Sequence, residues 1–169
     1  MEPCAGRGRG CNADGAQMTF NVVNTTGWKF EQLGRYTPQI TEAMHRLCGK
    51  FPDDMTPTSL VQEIAAGVQQ LWLVLDDKDE FVAFCLTQVS NVDATGKKVV
   101  TLTNMAGDLG LDCADDMCRV IEQWAWDQGA HMTAAIGSRA WGRRLKSQGY
   151  DEFAVIFRKP RPDTIGDKT

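Results

Sequence analysis

No stretch of the 169 residues is apolar for the roughly 20 positions that a membrane span needs. No basic segment followed by an apolar one opens the chain, as a secretory leader would. These absences point to a cytoplasmic protein with no membrane partner. Only two histidines are present, His45 and His131, and they are far apart. Six cysteines are present, yet no two of them stand in a C-x-x-C pair, and Cys113 and Cys118 have neither a second pair nor paired histidines beside them. No metal site is expected. A net charge of −4 excludes the broad basic footprint of general nucleic-acid binding.

The remaining composition is that of an ordinary globular domain, with 43% hydrophobic and 24% charged residues. A chain of this length normally forms one core. Charge is unevenly spread. Asp108, Asp112, Asp115 and Asp116 crowd one short stretch, whereas Arg139, Arg143, Arg144, Lys146, Arg158, Lys159 and Arg161 load the last quarter. The basic set reads first as a solvated helix face; coenzyme phosphate or an acidic partner is the sharper reading.

Residues 1–17, rich in glycine and arginine without periodicity, read as a disordered extension, and 160–169 as a flexible tail. Between them, 18–159 reads as the domain. Met18 to Val23 is a first strand. Trp28, Phe30 and Leu33 anchor a polar connection to the helix begun by Thr37-Pro38, whose buried face is Ile40, Ala43, Met44, Leu47 and Cys48. A second Thr-Pro start at Thr56-Pro57 opens a helix burying Leu60, Val61, Ile64 and Val68. Strands come next at Leu71 to Leu75, Phe81 to Val89 and Lys97 to Thr103. The middle one opens almost wholly apolar, as a strand covered on both faces does.

Asp112 then caps a helix with Cys113, Met117, Val120, Ile121, Trp124 and Ala125 on one face, stopped at Gly129. A strand from His131 to Ile136, a helix from Arg139 to Gln148 capped by Ser138, and a strand from Glu152 to Phe157 complete the order. The implied class is α/β (α+β): a mixed, mostly antiparallel twisted sheet with helices on both faces. Its expected core is Val82, Phe84, Leu86, Val120, Ile121, Trp124, Trp141, Leu145, Val155 and Phe157, with Trp126 exposed.

Gly137 to Tyr150 reads Gly-Ser-Arg-Ala-Trp-Gly-Arg-Arg-Leu-Lys-Ser-Gln-Gly-Tyr. It resembles the last helix and strand start of the GNAT superfamily of N-acetyltransferases, G-x-x-x-W-x-x-x-L-x-x-x-G-[YF], in particular the small GNAT-like proteins of bacteriophages. The resemblance implies an acyltransferase that moves an acetyl or acyl group from acetyl-CoA or another acyl-CoA to an amine-bearing acceptor. The alternative it leaves open is a non-catalytic fold relative that partners phage structural proteins, in the host cytoplasm or the virion.

The family's coenzyme loop, [QR]-x-x-G-x-[GA], falls on Asn104-Met105-Ala106-Gly107-Asp108-Leu109-Gly110, with Gly107 in place and Gly110 one residue late. The resemblance therefore implies coenzyme contacts from Asn104, Met105, Gly107, Asp108 and Gly110, with Arg143 offsetting the acidic residues nearby. Asp108 and Asp112 would face the diphosphate, where a helix N-terminus ordinarily welcomes negative charge. An acidic first turn that merely complements the helix dipole accounts for the same residues. Leu145 stands where many of these enzymes carry a tyrosine that protonates the leaving thiolate. The Lys97 to Thr103 strand offers no carboxylate base, so no catalytic residue is assigned.

Overall fold

A computed structural model describes residues 5–11, 17–108, 111–137 and 139–154. Its strands are β1 Ala5–Cys11, β2 Gln17–Asn24, β3 Gln70–Leu75, β4 Phe81–Asn91, β5 Lys98–Gly107 and β6 Met132–Ala135. Its helices are α1 Phe30–Gly34, α2 Thr37–Lys50, α3 Pro57–Ala65, α4 Leu111–Asp127 and α5 Arg139–Ser147. The chain divides into two compact units, Met1–Gly137 and Ser138–Thr169. Six strands lie in sequence order, β1 to β6. Neighbours are antiparallel up to β5, and β5 pairs with β6 in parallel after the α4 crossover. This is the mixed, mostly antiparallel sheet with helices on both faces that the sequence implies.

Alternation along β3 divides the core. Trp72 and Val74 point to one face, where they meet Met117, Cys118 and Ile121 of α4. Leu71, Leu73 and Leu75 point to the other, against Ile40, Met44 and Leu47 of α2 and Leu60 of α3. Every one of these β3 side chains is at most 3% exposed, so this strand is the centre of a three-layer packing. The indole of Trp72 donates to Thr87 Oγ1 at 2.9 Å and meets Trp124 edge-on at 5.1 Å between ring centroids.

Local signals set the helix starts. Thr56 accepts from Ser59 N–H at 3.1 Å, with Pro57 in the first turn. Thr37 lies one residue inside α2, and its hydroxyl donates to Leu33 C=O at 3.2 Å. The α2 face buries the five residues that its periodicity marks.

Several boundaries differ from the sequence reading. Val61 and Val68 are 54% and 47% exposed, because Leu60 and Ile64 already fill the inward stripe of α3 and the helix ends at Ala65. Gly67, at φ 70°, then turns the chain back towards β3. Asp112 is not a cap: it is the second residue of α4. Trp124 is partly buried against the α4-side core, Trp141 is half-buried and Leu145 is buried. Residues 152–154 carry no strand; Val155 and Phe157, like Ser138, lie outside the described residues.

Ala5–Cys11 falls in the stretch that reads from sequence as an unstructured extension, and it forms β1. Gly6, Gly8 and Gly10 stand opposite Val22, Phe20 and Met18, and Val22 and Phe20 belong to the α4-side core. Opposed residues of an antiparallel pair share a face. The bare face of β1 is thus the one turned to α4, and glycine at every second position lets the helix lie over it.

Leu73→Ala removes a wholly buried side chain from the central strand and should cost ~2–5 kcal/mol in denaturant unfolding. Val61→Ala, at an exposed helix position, should stay within ~0.5 kcal/mol of the parent. Equal losses at the two positions would contradict the packing described.

Candidate functional site

The register between β4 and β5 shifts once. Leu86 pairs with Asn104 whereas Thr87 pairs with Leu102, which leaves Thr103 as an extra residue in β5. Such a bulge bends its strand and flips the facing of every later residue. Val100 and Leu102 pack on the α4 side before it, and Met105 packs on that side after it. Ala106 packs on the α2 side.

The pairing with β6 stops at the same point, where β6 itself ends at Ala135. Val99 to Leu102 match Met132 to Ala135, and the last bond on that side is Ile136 N–H to Leu102 C=O at 2.9 Å. Beyond it, among the described residues, β5 pairs with β4 alone. Asp108 N–H donates to Val82 C=O at 2.9 Å. Alternation in an antiparallel ladder then turns the backbone N–H and C=O of Met105 and Gly107 away from β4, towards the side that β6 has left. Among the described residues no strand pairs with them there. The opening between β5 and β6 thus has a wall of backbone donors and acceptors, and α4 begins four residues after Gly107.

Of the residues expected to touch coenzyme, Met105 and Gly107 lie on this wall and Asn104 turns its backbone to β4; all three are half-buried and in the strand, and not in a loop. The reason is the phase flip, which gives Met105 and Ala106 a core on each face and so extends β5 past Thr103. Asp108 comes next, exposed, with Oδ1 3.4 Å from Arg46 Nη1 of α2. Gly110 lies outside the described residues. Arg143 is an exposed residue of α5, in the second unit.

Gly107 has a steric reason to be glycine. At φ 139° it crosses β4 so closely that a Cβ would lie 2.4 Å from both Ala83 Cα and Val82 O. Two further features escape sequence reading. Arg46 gives Asp108 a cation that its position in α2 does not advertise. The bulge itself leaves a trace: apolar residues on one face at 100, 102 and then 105 break the period of two.

In α4, Asp116 is 9% exposed; its Oδ1 accepts from Arg119 Nη2 at 3.0 Å, and its buried Oδ2 has no hydrogen-bond partner among the described residues. Cys113 nearby is pushed up to about 12, first by burial and then by the Asp116 charge. Burial likewise raises the Cys85 thiol, with Cys118 adding to it. These thiols are core residues and not nucleophiles. Among the described residues no group of three His, Cys, Asp or Glu is placed to hold a metal ion. His131 is exposed, with Nε2 3.0 Å from Lys97 Nζ.

No protein-family model and no curated protein matches the sequence. Solved structures do match the fold. A protein described as a probable acetyltransferase aligns at a TM-score of 0.62 and 18% identity, over 87% of this chain and 99% of its own. Glucosamine-6-phosphate N-acetyltransferase from Arabidopsis thaliana aligns at 0.58 and 8% identity, over 83% and 97%. An aminoglycoside acetyltransferase from an uncultured soil metagenomic sample, solved with sisomicin, aligns at 0.56 and 11% identity, over 85% and 96%.

Gly107→Ala should lower stability by at least ~1–3 kcal/mol, because backbone and not a flexible side chain blocks the new methyl. Gly142→Ala, with nothing within 4 Å of its Cβ position, should be neutral or stabilising. Thermal midpoints of the two variants decide this. The raised thiols make a separate prediction. The unfolded chain ionises Cys113 from about pH 9 and the folded chain only near 12, so stability should fall as pH rises through that window. A Cys113→Ser variant should show a shallower fall.

Proposed function

For a chain with the fold of the GNAT acetyltransferases, we propose acyl transfer from acetyl-CoA to an amine, through a modified coenzyme loop. One observation carries the reading: β5 bulges at Thr103 and parts from β6, leaving Met105 and Gly107 with backbone groups directed into the opening. An amide-bearing chain such as a pantetheine arm pairs with such an edge as an added strand would. An N–H beside the thioester carbonyl stabilises the negative charge that develops there as the amine attacks.

In that reaction the amine nitrogen forms the new C–N bond, the C–S bond breaks, and the thiolate leaves and takes up a proton. Lys98 is the only titratable residue of β5, and it lies at the far end of the strand from Gly107. Water is therefore the proton carrier in this reading, with Leu145 in place of an acidic hydroxyl. Met105 and Gly107 hold the thioester arm, and the start of α4 receives the diphosphate. Asp108 opposes that diphosphate, and Arg46 offsets part of the opposition. Arg143 enters through the resemblance to the family alone, which implies a further positive charge for the diphosphate.

Calorimetric titration with acetyl-CoA tests the proposal. Binding is expected, strengthened about two- to fivefold by Asp108→Asn and weakened by Arg143→Glu, with both effects larger at low salt. Release of free thiol on an amine panel would then identify the acceptor class. No binding at millimolar acetyl-CoA, in either the parent or Asp108→Asn, would overturn the enzyme and leave a GNAT-fold interaction module, for which a phage particle is one setting.

A further inference from the structure

Two consecutive glutamines reach the bulge from opposite faces of the sheet. Gln69, 8% exposed, stands immediately before β3 and accepts a hydrogen bond at Oε1 from Thr103 Oγ1 at 2.7 Å. Its Nε2 donates to Glu63 Oε2 of α3. On the α4 side, Gln70 Oε1 accepts from Thr87 Oγ1 at 3.2 Å, and Thr87 also accepts from the indole of Trp72. Thr87 and Thr103 are the residues on either side of the register shift.

The direction of the first chain is fixed by chemistry. A carboxylate only accepts, so Glu63 must meet the amide N–H of Gln69, which leaves the amide oxygen for Thr103. Thr103 must therefore donate. Its proton is shared between Gln69 Oε1 and Leu86 C=O, the latter at 3.2 Å. The backbone reinforces the arrangement, because Val68 and Gln69 N–H both donate to Glu63 C=O, at 2.9 and 3.2 Å. Glu63 thus fixes Gln69 through both main chain and side chain.

We infer that Gln69, oriented by Glu63, is a positioning residue: it holds Thr103 out of the ladder and so fixes where β5 leaves β6 and presents Met105 and Gly107. The ligand consequence rests on the acetyl-CoA reading above. The mechanical claim does not. A bulge with an unbonded hydroxyl could migrate along β5, and a shift of one residue would exchange the backbone groups facing the opening for those facing β4.

The test compares Thr103→Val, which keeps the shape and loses the hydroxyl, with Thr103→Ser, which keeps it. Amide hydrogen exchange of the ligand-free protein is read at Asn104, Ala106 and Asp108, and acetyl-CoA affinity by calorimetry. Thr103→Val and Gln69→Leu should speed exchange at these three positions about tenfold without a matching change in β3. They should also weaken acetyl-CoA binding up to about tenfold, the scale of one lost hydrogen bond. Thr103→Ser should restore both. Glu63→Ala, at a half-exposed helix position, supplies the same comparison should a core variant fail to fold. Exchange and affinity both unchanged in Thr103→Val and Gln69→Leu would overturn the inference. So would losses spread evenly over the sheet and not rescued by serine. A parent protein that ignores acetyl-CoA would sink the enzymatic reading alone, and the exchange comparison would still decide the role of Gln69.

Discussion

The extra residue that β5 carries opposite β4 is the constraint on which the rest of the candidate site depends. Without it, β5 would stay in step with β4, and Met105 and Gly107 would turn their backbone groups to β4 and not to its open side. With it, among the described residues, the first half of the strand pairs on both sides and the second half with β4 alone. The core tolerates the change because the bulge flips the phase: Leu102 and Met105 fill the α4 side, and Ala106 fills the α2 side. A register fault that cost the core its side chains would not persist; one that re-deals them does.

The packing around β3 gives the bulge something rigid to act against. Side chains at 71 to 75 are buried on both faces. The two glutamines that precede and begin this strand are therefore anchored at their backbone ends by a strand packed on both faces. Their amides reach residues on β4 and β5. Polar groups buried in this way cost free energy unless they are paired. Here each is paired with a residue of the register shift, so the polar requirement and the irregularity answer one another.

Much of the fold is legible in the sequence because it rests on local signals. The Thr-Pro helix starts, the five-residue stripe of α2 and the alternation of β3 each come from spacing alone. Val61 and Val68 depart from their pattern for a tertiary reason: the stripe of α3 needs only Leu60 and Ile64, and a turn at Gly67 takes the next apolar residue away. The coenzyme segment is legible as a place and not as a conformation. Asn104 to Gly107 has the look of a loop because the period of two breaks at Thr103, and the break is the bulge itself. Arg46 is illegible, since its relation to Asp108 spans 62 residues and exists only once α2 lies across the sheet.

Gly107 carries a wider consequence. It is the one residue of the expected coenzyme loop that matches the pattern outright, and the close approach of β4 demands glycine there whatever the opening binds. A side chain there would be refused by the sheet even if the opening bound nothing. The side chain at 108, exposed and paired with an exposed arginine, is under no such steric demand. A glycine at 107 therefore reports the crossing of two strands and not the ligand, and it is residue 108 whose identity is left free to answer to whatever the opening holds.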